Sequence, residues 1–117
     1  MAIYKTSDNA KDERLVTNWF INDYKECSQA VKKVCINFGY TLKYESEEYG
    51  EFIFVRKRDT LDVRVISLNK RETAIDFVIN SNILLDFGRS KAVIDDLYER
   101  LRRELRILKR WEIKVFG

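Results

Sequence analysis

The residues able to do chemistry are few, and the most concentrated are cationic: Arg100, Arg102, Arg103, Arg106, Lys109 and Arg110 crowd into one stretch near the C-terminus. Positive groups repeated along a helix can track the phosphates of a nucleic acid. Arg102, Arg103, Arg106, Lys109 and Arg110 are therefore one candidate binding set, with Lys57, Arg58, Lys70 and Arg71 as auxiliary contacts. The same residues have a purely structural use. Cations in the last turns of a helix complement its dipole, Asp95 and Asp96 do so at the other end, and Asp96 with Arg100 has ion-pair spacing. A net charge of only +3 gives weak phosphate attraction, and the aromatics lie away from the arginines, against a stacking platform for single strands. Nucleic-acid binding is the alternative reading.

Catalytic groups are scarcer still. Histidine is absent, which removes the commonest general base at neutral pH, histidine-dependent triads and mixed cysteine and histidine zinc sites. Cys27 and Cys35 are eight residues apart in an expected helix, roughly 12 Å at 1.5 Å per residue, beyond disulfide reach. They are expected to be free thiols on the apolar stripe, inert as nucleophiles and at home in a reducing, cytoplasmic compartment. The acidic pairs Glu47 with Glu48 and Asp95 with Asp96 fall in a turn and at a helix start, where carboxylates are solvated. Asp23 is the one acid inside an apolar stripe and is expected to reach solvent at its edge. Gly39, Gly50 and Gly88 each mark the end of an element, so no phosphate loop is present. The expectation is a non-enzymatic domain without metal or cofactor.

The elements that hold these groups follow from apolar spacing. Leu15, Val16, Trp19, Phe20, Tyr24, Cys27, Ala30, Val31, Val34, Cys35 and Phe38 recur at three- and four-residue steps, predicting a helix over 13–38 closed by Gly39. Period-two patterns then predict strands at 40–45, 51–56, 61–68 and 72–80. Their connections are too short to cross over, so they form an antiparallel meander. A second helix is expected from about Ser90, its stripe being Val93, Ile94, Leu97, Tyr98, Leu101, Leu105 and Leu108. Residues 111–115 alternate again, as a short strand or arm. The fold expected is α+β and two-layered: helix, four-stranded antiparallel meander, helix. The 117 residues fit a single domain, 1–117, with 1–12 a poorly ordered extension. No apolar run approaches a membrane span, so no membrane partner is expected.

Strand phasing then sorts side chains onto two faces. Leu42, Tyr44, Phe52, Phe54, Leu61, Val63, Val65, Ile75, Phe77 and Ile79 share the face expected to carry the helices. The opposite face takes Lys43, Ile53, Val55, Asp62, Arg64, Ile66, Ala74, Asp76 and Val78, with the three charged groups placed to pair. A solvated face should be polar, but this one has a β-branched patch. Exposed patches of this kind mark interaction surfaces, unless the C-terminal arm or the 83–87 connection folds over it. The function expected is protein-protein interaction as a binding or adaptor domain, most directly as a homodimer through Ile53, Val55, Arg64, Ile66 and Val78. The helix, meander, helix order is also similar to helix-grip and related two-layer folds, some of which bind apolar ligands between sheet and helix; the resemblance is one of fold and assigns no residue.

Overall fold

Asp23 opens the first helix rather than sitting within it. Its carboxylate accepts from the Glu26 amide at 2.8 Å, and the Glu26 side chain accepts from the Asp23 amide at 3.4 Å, a reciprocal capping box. The helix α1 therefore spans only Tyr24–Phe38. It ends where Gly39, at φ 123°, takes a backbone conformation open mainly to glycine. The ten residues before the cap, expected to be helical, instead hold one 3₁₀ turn at Glu13–Leu15 and a strand at Asn18–Phe20.

The computed structural model describes residues 2–105. In chain order the strands are β1 (Ala2–Lys5), β2 (Asn18–Phe20), β3 (Thr41–Ser46), β4 (Glu51–Val55), β5 (Asp59–Ser67) and β6 (Thr73–Ser81), and the second helix α2 is Arg89–Glu104. All pairings are antiparallel, in the order β1-β6-β5-β4-β3, with β2 also on β6. The fold is α+β, but the four-stranded meander expected is corrected to a six-stranded sheet. The two added strands come from residues read as a loose extension and as the start of a helix. They share the outer edge of β6, β1 pairing with its C-terminal half and β2 with its N-terminal end. An edge left bare would expose a row of unpaired amides and carbonyls.

The meander strands fall within two residues of their expected bounds. Leu61 opposes Ile79, Val63 opposes Phe77, and Val65 opposes Ile75. These side chains, with Phe52 and Phe54, are buried together with Val31, Val34, Ile94, Leu97 and Leu101 of the two helices. Phe77 meets Tyr98 edge-on at 4.8 Å, and the Tyr98 hydroxyl donates to the Ile75 carbonyl at 2.7 Å. Each such side chain contributes on the order of 1.5–3 kcal/mol by leaving water. Among the described residues, Phe52, Phe54, Phe77 and Tyr98 are fully buried in the space between the helices and these strands.

One expected register fails. Leu42 opposes Phe54, but a bulge at Lys43 shifts the pairing so that Tyr44 opposes Ile53 rather than Phe52. One extra residue reverses every later side chain in a strand, so Tyr44 leaves the core face and Glu45 takes its place, reaching Lys32 on α1 at 3.2 Å. Gly50 closes this hairpin at φ 62°, where a Cβ would collide with the Val65 carbonyl.

Candidate interaction surface

Both helices pack against the core face, and the other face of the sheet presents its side chains in cross-strand rows. One row runs Lys5, Val78, Asp62, Ile53, Tyr44; a second runs Ile3, Asn80, Thr60, Val55, Thr41. A third sets Asp76, Arg64, Glu51 and Ser46 side by side, and a fourth sets Trp19, Ala74 and Ile66. Ile53, Val55, Arg64, Ile66 and Val78 thus lie on one face. Trp19, Tyr44 and Ile3, which strand phasing alone does not place there, extend its apolar part. Ile66, Tyr44 and Ile3 are exposed, and Ile53, Val55 and Val78 are partly so.

The charged row does not pair as spacing suggested. Arg64 reaches Glu51 at 3.3 Å rather than Asp62 or Asp76. Asp76 accepts from the hydroxyls of Thr6 and Thr17, both at 2.6 Å. Asp62 is left with a buried Oδ1 that has no hydrogen-bond partner among the described residues. Partial burial, and then the neighbouring Glu51 carboxylate, push the Asp62 pKa up, while Arg64 opposes them.

The Arg-rich helix is largely occupied with itself. Arg100 pairs with Asp96 at 3.3 Å and lies over the Phe38 ring, Arg103 pairs with Glu99 at 2.8 Å, and Arg102 donates to Asn18 on β2 at 2.8 Å. Arg106, Lys109, Arg110 and the 111–115 arm lie outside the described residues. Of the auxiliary cations, Lys57 and Arg58 are in the β4–β5 turn. Just before them, Arg56 grips Asp59 through two bonds of 2.8 and 2.9 Å and stacks on Tyr40 at 4.6 Å.

The 83–87 connection does not serve as a cover for the sheet. Ile83 lines a cleft of about 290 Å³ with Phe38, Arg56, Arg58, Arg89 and Val93, beside the start of α2. Ser90 is not the N-cap: that position is Gly88, and the Asp86 carboxylate accepts from the Gly88 and Ser90 amides at 3.0 and 3.1 Å. Cys27 and Cys35 are free and buried, and burial pushes the Cys27 thiol up to about 11 and Cys35 higher still. Thiols this weakly acidic hold their protons at neutral pH.

Among the described residues no helix is long and apolar enough to cross a membrane, and no group of three or more histidine, cysteine or acidic side chains is arranged to hold a metal ion. No protein-family model matches the chain, and no curated protein matches it either. The geometry of the sheet face is what bears on function.

Proposed function

We propose that this protein is a small binding domain of the cytoplasm that acts by protein-protein interaction, pairing its outer sheet face with that of a second copy. The observation behind this reading is the face itself: Ile53, Val55, Ile66, Val78 and Tyr44 surround Arg64, Glu51 and Asp62, with Asp76 and Trp19 at its margin held by the 6–17 segment. Five strands at about 4.8 Å spacing and about 3.3 Å per residue give a patch of roughly 20 by 25 Å, so two copies would bury about 1,000 Å² together, the lower bound of a specific interface. Two copies related by a twofold axis would present the same apolar groups to each other, as an isologous interface requires. Binding rather than catalysis fits a chain without histidine whose thiols keep their protons.

Light scattering over a concentration series tests the reading. The expected result is a mass near twice 14.0 kDa that Ile53→Asp or Val78→Asp returns to a folded monomer. A strict monomer at every concentration overturns self-association.

A further inference from the structure

The tip between β6 and α2 is built against the usual economy of a small domain. Leu84, Leu85 and Phe87 are 70, 72 and 92% exposed, yet the loop that holds them is pinned. Buried Asp86 binds the Gly88 and Ser90 amides and accepts from the Tyr4 hydroxyl at 3.2 Å. At the other end, the Asn82 amide donates to the Arg58 carbonyl at 3.0 Å, and the Ser81 hydroxyl accepts from the Ile83 amide at 3.2 Å. Phe87 has φ 56°, a left-handed conformation that disfavours a bulky residue. A strained backbone that points its aromatic ring into water indicates a use for the ring outside the domain.

Charge around the tip is one-sided. Arg58 and Arg89 line the cleft on one side of it and make no side-chain hydrogen bond or ion pair among the described residues, and Lys57 is exposed beside them. Arg14 and Lys91 line the other side and share one acid, Asp12, at 3.1 and 3.3 Å. The nearby acids Asp59 and Asp86 are already committed, to Arg56 and to the α2 amides.

We propose that the 83–87 tip docks this protein on an anionic lipid surface, Leu84, Leu85 and Phe87 entering the headgroup boundary while Lys57, Arg58, Arg89 and Lys91 meet lipid phosphates and carboxylates. Projecting apolar side chains ringed by cations on both sides are the pattern of interfacial binding. A fluid surface accepts a convex tip without a shaped pocket. The expectation of no membrane partner rests on the lack of a run long enough to span; a contact at the interface needs no such run.

Cosedimentation with phosphatidylcholine vesicles, with and without phosphatidylserine, tests this at low and raised salt. The expected result is binding to the serine-containing vesicles that weakens with salt and falls about tenfold or more in the Leu85→Asp, Phe87→Asp double variant. Arg58→Glu with Arg89→Glu should lose binding similarly, while Arg103→Glu, remote in sequence on the far part of α2, should retain it. Phe87→Gly relieves the backbone and should raise stability while weakening binding. Ile53→Asp should still sediment with vesicles, which separates this surface from the sheet face. Absence of binding to anionic vesicles at low salt, unchanged binding in the Leu85, Phe87 variant, or an equal loss in Arg103→Glu each overturns the proposal.

Discussion

Thr6 and Thr17, eleven residues apart in the chain, donate to the same oxygen, Oδ1 of Asp76, at 2.6 Å each. This junction closes the break between β1 and β2 on the edge of β6. Thr6 also accepts from the Phe77 amide at 3.0 Å and donates its own amide to the Phe77 carbonyl at 3.0 Å, and the Thr17 amide reaches the Ser7 carbonyl at 3.1 Å. Both threonines are buried, and bonds to a charged acceptor are worth about 1.5–3 kcal/mol. Asp76→Ala should therefore lower unfolding free energy by about 2–3 kcal/mol in urea titration, and Asp76→Asn by less, since its carbonyl still accepts. An equal loss in the two variants would show that the acceptor is not what matters.

The Arg56 and Asp59 pair bridges the start of the β4–β5 hairpin with Asp59 only 4% exposed. Removing one partner of a buried pair typically costs about 3–5 kcal/mol, so Asp59→Ala should be among the more destabilising single changes. Arg56→Lys should rescue little: an ammonium makes neither the two-pronged bond nor the flat stack on Tyr40. Thermal unfolding of the two variants checks both statements.

Arg64 is the one cation among the inner charged positions of the sheet face. Arg64→Glu should cost the isolated chain at most about 1 kcal/mol, because its pair with Glu51 is solvent-exposed. If two copies pair through this face, the same change sets like charges against each other and should weaken the dimer by about tenfold or more. Sedimentation equilibrium gives the dimer constant, and parallel denaturation the stability.

Asp62 supplies a pH dependence. Its pKa is raised in the folded chain, so it holds a proton more tightly there than when unfolded. Stability then falls as pH rises between the unfolded and the folded values, and at neutral pH the ionised group opposes folding. Asp62→Asn should give a small gain in stability at pH 7, measured at concentrations where the chain is monomeric. That gain should shrink as the pH drops through the ordinary carboxylate range. A variant less stable than the parent at pH 7 would mean that the charged form has a partner in solution.

The meander, α2 and the division of strand residues into two faces were legible in the sequence because they rest on repetition. β5 and β6 alternate over nine residues each, and a pattern of that length fixes a period and, with short turns, a register. β1 and β2, at four and three residues, are too short to display one. Phe20 also falls four residues before Tyr24, and Trp19 three after Val16, so the apolar spacing of α1 continues through them. A local signal did exist: Asp23 followed three residues later by Glu26 is a capping box, which marks a helix start and makes the residues before it something else.

The amino-acid sequence by itself determined that this chain makes two amphipathic helices and a meander with an apolar core face, since periodicity needs only neighbours along the chain. Tertiary structure decided the rest. It set β1 and β2 on the β6 edge through pairings some 53–79 residues apart, and it turned Tyr44 outward through a single bulge. It also partnered Arg64 with Glu51 instead of Asp62. Each of these is a choice among nearly equivalent contacts, and such choices are made by which groups the packed fold brings within reach, not by their spacing in the chain.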